Sequence, residues 1–308
     1  MKTTTPHASY RPGLGGALVL LGALAFATKP VFIKLAYADG ARIDAVTLLT
    51  LRMGMALPFF LAAALWRGQS RGDSRRRGDW LALALLGLTG YYLSSLLDFM
   101  GLELIPASLE RLILFLYPTF VVALTAAIHR RAIQRPQRIA LALSYAGIVL
   151  VYGARTAPPT AHDTLGALLV LGSALTYALY LVASGHYIPR FGAWRFTAYS
   201  MAIACGAMIS HFLLTRPVEQ LAVPNAVLWL ALALALVSTV LPAFLINAGI
   251  GLIGADRAAL IGAAGPVFTL ILAWLTLDET LTPTQLIGAA LVLGGVVLVM
   301  TSRRKTTP

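Results

Sequence analysis

The chain has 308 residues, of which 58% are hydrophobic and 12% charged, and its net charge is +12. Soluble domains carry about 25% charged residues, so a chain with mean hydropathy +0.80 lacks the polar surface that two soluble domains of this length would need. Disorder, collagen and coiled coil are excluded on the same grounds, which leaves an all-α integral membrane protein.

Ten apolar stretches reach the length a membrane helix needs, about 20 residues: 14–37, 44–66, 80–99, 104–127, 137–153, 165–185, 195–214, 226–248, 255–277 and 283–301. They are too long and too evenly apolar for barrel strands. The first follows Lys2 and Arg11 and holds Ala25-Phe26-Ala27, which imitates a signal peptide and its cleavage site. The apolar run resumes after Lys29-Pro30, so a membrane helix is expected there. Pro30 lacks an N–H and frees a carbonyl one turn earlier, which allows a bend. Lys34 follows in the same segment, Arg52 lies in the second, and Tyr91, Ser95 and Asp98 recur at i, i+4 and i+7 in the third. The fourth carries Arg111 and a mixed face of Glu110, Leu114, Tyr117 and Val121, and the sixth carries Ser173, Tyr177, Tyr180 and Ser184 on one face. In the seventh, Cys205 is expected to be a buried, inert thiol and His211 a local hydrogen-bonding residue. Asn247 is the polar residue of interest in the eighth. The ninth has small-residue faces, Ala255, Ala259 and Ala263 and then Ala258 and Gly262, suited to close packing.

The basic residues lie mostly in alternate links. Arg67, Arg71, Arg75, Arg76 and Arg77, then Arg130, Arg131, Arg135 and Arg138, then Arg190 and Arg195, then Arg303, Arg304 and Lys305 fall on one side; the opposite links hold Arg42, Arg155 and Arg216. Cytoplasmic loops collect Lys and Arg, so both termini are placed inside. The excess charge is a topology signal and does not point to nucleic acid.

A shift of 148 residues lays 101–151 on 249–299 without a gap, with about a third of positions identical. Gly101, Leu104, Ile105, Ala107, Pro118, Phe120, Gln137 and Gly147 meet Gly249, Leu252, Ile253, Ala255, Pro266, Phe268, Gln285 and Gly295. Gly16-Ala17-Leu18 similarly resembles Gly166-Ala167-Leu168. The chain therefore divides into units 1–153 and 154–308, each of five spans. Because five is odd, the second unit enters from the opposite side. The link His129-Arg130-Arg131 and its counterpart Leu277-Asp278-Glu279 differ in charge accordingly. The expected fold is ten transmembrane helices arranged as two inverted five-helix repeats, an arrangement many secondary transporters share.

The pattern resembles the drug/metabolite transporter superfamily, in particular its EamA-like ten-helix carriers. Phe32-Ile33-Lys34-Leu35, Leu51-Arg52, Gly101 to Ser108, Tyr117-Pro118, Pro266, Asp278-Glu279-Thr280-Leu281-Thr282 and Gly288 to Gly295 carry the resemblance. It spans nearly the whole chain and is specific for the superfamily but poor for substrate. The family's first repeat usually has an acidic turn after its fourth helix, where this chain has His129-Arg130-Arg131. The resemblance implies a carrier in a bacterial inner membrane, often an exporter of amino acids or related metabolites.

Lys29, Lys34, Arg52, Arg111, Asp98 and Glu110 are the charges within apolar segments of the first unit. Each costs about 2.5–3.5 kcal/mol at a helix centre unless it pairs, snorkels or lines water. All six fall in the outer half of one repeat, and Asp98, Glu110 and Arg111 align with Ile246, Ala258 and Ala259 in the other. Two readings stay open. In one, Lys34 and Arg52 snorkel to headgroups and the rest form a structural ion cluster. In the other, Lys29, Arg52, Tyr91, Ser95, Asp98, Glu110, Arg111, Tyr117, Tyr177, Tyr180 and Asn247 line a substrate cavity. About two surplus positive charges would then suit a substrate carboxylate or phosphate, and an acid could carry a coupling proton. The expected partners are a small anionic or zwitterionic metabolite and the bilayer, with the chain a monomer or weak homo-oligomer. An intramembrane enzyme or lipid-handling protein using the same charges is the alternative, and a non-transporting scaffold the third.

Gly249-Ile250-Gly251-Leu252-Ile253-Gly254 matches the dinucleotide fingerprint, but it joins two apolar segments and no βαβ unit surrounds it. His7, His129, His162, His186 and His211 show no metal-ligand spacing. No cofactor or metal is expected, and no catalytic set stands out.

Overall fold

The computed structural model describes residues 12–38, 43–65, 77–128, 130, 135–153, 160–253, 261, 265–277 and 282–302. Every regular element among the described residues is helical. Seven of these helical stretches are long and apolar enough to cross a membrane: Gly13–Ala38, Ala45–Leu65, Gly78–Leu104, Ala107–Ile128, Ala161–Ser184, Trp194–Thr215 and Asn225–Ile246. They correspond to the first four and to the sixth, seventh and eighth predicted segments. The protein is an all-α, multi-pass membrane protein.

Several spans are interrupted. The first is α1 (Pro12–Ala27) and α2 (Lys29–Ala38), separated at Thr28. The second is α3 (Ala45–Leu65), unbroken. The third is α4 (Arg77–Gly87), a π turn (Leu88–Leu93) and α5 (Ser94–Leu104). The fourth is α6 (Ala107–Leu114) and α7 (Tyr117–Ile128). Pro118 has no N–H, so the Leu114 carbonyl loses its intrahelical donor where α6 stops. Then come α8 (Arg135–Gly153), the long α9 (Ala161–Phe191) and α10 (Ala193–Thr215). A 3₁₀ turn (Val218–Leu221) leads to α11 (Asn225–Ala235), a second π turn (Leu236–Val240) and α12 (Leu241–Ile253). The chain continues through α13 (Gly265–Thr276) and α14 (Pro283–Ser302). Helices α8 and α14 occupy predicted segments 137–153 and 283–301. Most of the first half of segment 255–277, with Ala255, Ala258, Ala259, Gly262 and Ala263, lies outside the described residues, as does the Asp278-Glu279 turn.

The largest core packs α3 against α10 and α11, with Leu48, Leu49, Met53 and Phe60 meeting Cys205, Met208, Phe212 and Leu234. The Cys205 thiol is buried and free, 3.6 Å from Met53 Sδ. His211 is tied locally, its Nδ1 2.8 Å from the Tyr92 hydroxyl.

Two helix pairs meet in the same way. Gly15 of α1 rests on Gly249 and Ile253 of α12, and Gly166 of α9 rests on Gly101 and Ile105 of α5. A Cβ on Gly15 would lie 2.5 Å from Ile253 Cγ2, and one on Gly166 would lie 2.8 Å from Ile105 Cγ2. Val19 covers Gly249 as Val170 covers Gly101. Gly101 and Gly249 keep the offset of 148 read from the sequence. Gly15 and Gly166 are 151 apart, so the sequence pairing of Gly16 with Gly166 is one residue out. Small residues let these backbones touch, and packing of that kind is what holds helices together in lipid. The π turns also begin 148 residues apart, at Leu88 and Leu236. Such i→i+5 turns are rare and cluster at functional sites.

At the surface, the start of α3 is tied to the end of α10. Arg216 Nη2 lies 2.7 Å from Asp44 Oδ2, and Thr47 N donates to Asp44 Oδ1. A Glu103 carboxylate oxygen accepts from Ala45 N. Beside the pair is a cavity of about 600 Å³ lined by Ile43, Asp44, Thr47, Arg216, Gln220 and Pro224, among others. Partial burial pushes the Asp44 carboxyl up, but hydrogen bonds from Thr47 and Arg216 and the Arg216 charge outweigh it and hold Asp44 below its ordinary value. The stability this provides is present above the ordinary carboxylate range and lost as pH falls through it. Both partners are about a third exposed, so Arg216→Ala should cost no more than about 1 kcal/mol. Unfolding in detergent should show that small loss at neutral pH and none at strongly acid pH.

Candidate functional site: the break in the first span

Residues from seven elements converge where the first span breaks at Thr28. The cause begins with Pro30. Its missing N–H deprives the Phe26 carbonyl of an intrahelical donor. Arg111 of α6 supplies a replacement, with Nη2 donating to Phe26 O at 2.9 Å. Its Nε donates to Thr269 Oγ1 of α13 at 2.8 Å, and that hydroxyl donates to Ala27 O at 3.1 Å. Thr28 Oγ1 bonds back to Ala25 O and lies 2.8 Å from Ser238 Oγ in the second π turn. Both carbonyls at the break are thus satisfied by side chains from other helices.

Lys29 begins α2 at this point. Its Nζ lies 2.6 Å from Asp98 Oδ2 on α5 and 3.7 Å from Glu110 Oε1 on α6. Both cations lie over the Phe26 ring, Lys29 Nζ at 5.2 Å and the Arg111 guanidinium carbon at 5.1 Å from its centre. Asp98 and Arg111 are 1% exposed and Glu110 is fully buried. Arg52 approaches from α3. Its Nε donates to Thr239 Oγ1 in the second π turn at 2.7 Å, and its guanidinium lies 5.3 Å from the Phe99 ring centre. Thr239 Oγ1 in turn donates to Leu234 O at 2.7 Å. At 5% exposed, Arg52 does not snorkel, because a hydroxyl and a ring hold it inside the bundle.

Hydrogen bonding in this cluster is incomplete. Asp98 Oδ1, both Glu110 carboxylate oxygens and Arg52 Nη1 are buried without a hydrogen-bond partner among the described residues. Buried polar atoms are nearly always paired, and each exception calls for a reason. Lys29 and Arg111 balance Asp98 and Glu110 within the cluster, and three of the four open positions are carboxylate oxygens.

The tyrosines form a second group. Tyr180 O–H donates to Tyr91 Oη at 3.1 Å, Tyr177 stacks on Tyr180 at 5.9 Å, and Tyr117 meets Tyr177 edge-on at 5.2 Å. Gly90 makes room for the Tyr180 ring, since a Cβ there would lie 2.2 Å from its Cγ. Below the rings, Ser173 Oγ donates to Ser94 O at 2.8 Å. Ser94 thus meets α9, while its neighbour Ser95, the residue expected to line a cavity, is half-buried. The π turn ending at Leu93 disturbs the i, i+4 register that placed Tyr91 and Ser95 on one face. Likewise the face expected to run from Glu110 to Tyr117 is split by the break between α6 and α7, so Glu110 meets α2 while Tyr117 meets α9. The side chain of Asn247 lies outside the described residues.

The structure thus brings Lys29, Asp98, Glu110 and Arg111 together, sets Arg52 beside Phe99, and gathers Tyr91, Tyr117, Tyr177 and Tyr180 separately. Sequence reasoning misses Phe26, Thr28, Ser238, Thr239 and Thr269. One signal is present for them: Tyr91 plus the repeat offset of 148 is Thr239, so the offset points to it.

The model of the EamA-like transporter family matches residues 13–153 and again 164–301. The chain belongs to the EamA-like transporter family. Among the relatives of this EamA-like protein is a Bacillus subtilis protein named "Uncharacterized transporter YcbK", 35% identical over 93% of this chain and 91% of its own length. An Archaeoglobus fulgidus protein named "Uncharacterized transporter" is 27% identical over 92% of this chain and 95% of its own. A solved crystal structure covers 96% of this chain and 100% of its own at TM-score 0.65 and 21% identity, a likeness of fold alone. The EamA-like protein is therefore a membrane transporter.

Proposed function

We propose that this transporter is a secondary carrier of a bacterial inner membrane that exports small polar metabolites such as amino acids. In this reading ten spans form two inverted five-helix repeats, 1–153 and 154–308, with both termini cytoplasmic. Substrate crosses by alternating access through a central cavity between the halves, and the chain works as a monomer or weak homo-oligomer. The repeat reading is supported by the family model matching twice, by the paired glycine contacts and by π turns 148 residues apart.

The observation that carries the functional reading is the broken first span beside open polar valences. Discontinuous helices mark substrate sites in secondary transporters. Here the break is ringed by three unpartnered carboxylate oxygens and one unpartnered guanidinium nitrogen. A substrate ammonium group would fill the acceptors of Asp98 and Glu110, and a substrate carboxylate would fill Arg52 Nη1. An amino acid carries both groups. The tyrosine group on α9 provides a second, uncharged wall. No contact among the described residues favours the intramembrane-enzyme or lipid-handling alternative.

The test is counterflow in vesicles reconstituted with the full chain and loaded with each of the common amino acids in turn. At least one should exchange above protein-free vesicles, and cells overexpressing the protein should release it. If none exchanges, the amino-acid reading is wrong.

A further inference from the structure

The cavity beside Asp44 and Arg216 holds charge that the fold uses only in part. The guanidinium closes on a single carboxylate oxygen: Nε donates to Asp44 Oδ2 at 2.9 Å, and Nη2 lies 2.7 Å from the same atom. Nη1 gives one further bond, to Thr215 O at 3.2 Å. An arginine carries five N–H donors, so part of this fork has no acceptor among the described residues. Asp44 Oδ1 accepts Thr47 N and keeps room for a second donor. Both residues line the cavity, so an open cationic donor and an open carboxylate acceptor face one space. Its rim is fixed. Pro217 and Pro224 bracket the 3₁₀ turn Val218–Leu221, which Gln220 N and Ala222 N close by bonding Pro217 O and Glu219 O at 3.1 and 3.0 Å. Leu221 and Val223 pack on the core of α3, α10 and α11. At about 600 Å³ the cavity has the size of a small-molecule site, about 300–1,000 Å³. Its depth is marked by its neighbours. Leu213 and Leu214, 58% and 86% exposed, end α10 just before Thr215 and Arg216, and Trp229, 70% exposed, stands early in α11. Leucine favours hydrocarbon and tryptophan the headgroup level, so the cavity opens at the membrane boundary.

We propose that this cavity binds a zwitterion carrying an ammonium group and an anionic oxygen group, presented by a phosphoethanolamine lipid headgroup or by a free amino acid. The anionic oxygens take the open N–H groups of Arg216, and the ammonium donates to Asp44 Oδ1. Arginine forks onto phosphate and carboxylate alike, so one chemistry covers both sources. Glu103, whose carboxylate accepts Ala45 N, lies within electrostatic reach of Asp44 and Arg216 and adds negative charge that favours the ammonium. A trimethylated ammonium has no N–H to give Asp44, and a glycerol headgroup has no cation at all, so both bind worse. Asp44 precedes α3 and Arg216 follows α10, so the occupant joins these two helices at one end. The site is separate from the break in the first span, none of whose charges lines it.

Native mass spectrometry of the full chain in detergent tests this with phosphatidylethanolamine, phosphatidylcholine, phosphatidylglycerol and glycine as probes. Asp44→Asn should bind phosphatidylethanolamine about tenfold more weakly than the wild type, the effect of losing one charge-assisted hydrogen bond. Arg216→Gln should weaken it as well. Retention of phosphatidylcholine and phosphatidylglycerol should be the same in the wild type and Asp44→Asn. Glycine bound by the wild type and lost in Asp44→Asn, with no difference for any lipid, assigns the site to free amino acids and sustains the proposal. If the wild type and Asp44→Asn retain every lipid alike and neither binds glycine, the proposal is overturned. Hydrogen exchange on the wild type alone decides the matter where a variant fails to fold. Amides of residues 218–223 should exchange more slowly in phosphatidylethanolamine vesicles, or with glycine added, than in phosphatidylcholine vesicles. Equal exchange under all three conditions overturns the proposal.

Discussion

Lys29→Ala is expected to abolish transport and to destabilise the protein by about 3–5 kcal/mol, the cost of removing one partner from a buried ion pair. Both effects have one source. Lys29 is 5% exposed and gives Asp98 its 2.6 Å hydrogen bond. Without it, Asp98 keeps its place inside the bundle with no other cation among the described residues within ion-pair distance. The stability part should be reversible by removing the charge at the other end. Lys29→Met combined with Asp98→Asn should unfold within about 1 kcal/mol of the wild type, because replacing both partners of a buried pair by neutral groups is often neutral. Transport should stay lost in the double variant, since the acceptors proposed for the substrate amine are changed. Denaturant unfolding in detergent gives the first quantity and vesicle counterflow the second. Wild-type transport by Lys29→Ala would remove Lys29 from the site.

The second large effect belongs to Arg111. Arg111→Leu leaves the Phe26 carbonyl and the Thr269 hydroxyl without the donors that now reach them at 2.9 and 2.8 Å. Each buried acceptor left open costs about 1–3 kcal/mol, so a loss of several kcal/mol is expected. The remedy is local. Pro30→Ala restores a backbone N–H four residues beyond Phe26, where it can bond the same carbonyl. The double variant should therefore be more stable than Arg111→Leu alone, with a coupling energy of about 0.5–3 kcal/mol. Simple additivity would show that Arg111 does not act by closing the break.

Much of this site is legible in the amino-acid sequence. Insertion cost alone singles out Lys29, Lys34, Arg52, Asp98, Glu110 and Arg111, and four of the six, Lys29, Asp98, Glu110 and Arg111, meet. The carbonyl freed by Pro30 follows from proline chemistry, and Phe26 O is the atom Arg111 reaches. Arg52 is divided between the headgroups and the interior, because a long cationic side chain can do either. Only Thr239, 187 residues further on, decides between them. The helical faces drawn through Tyr91 and Ser95 and through Glu110 and Tyr117 assume unbroken α-helices. A π turn interrupts one and a break between α6 and α7 the other.

By itself the sequence determined that the chain lives in a membrane, that two stretches 148 residues apart share a pattern, and that one of them holds buried charge. Those properties follow from composition, from periodicity and from the cost of charge in hydrocarbon, and each can be read locally. Tertiary structure decided the rest: that Lys29 serves Asp98 more closely than Glu110, that Arg52 turns inward, and that the tyrosines stand apart from the ions. A hydrogen bond is won or lost within about half an ångström. Distances between residues 69 or 187 positions apart are set by how whole helices pack, which no local pattern encodes.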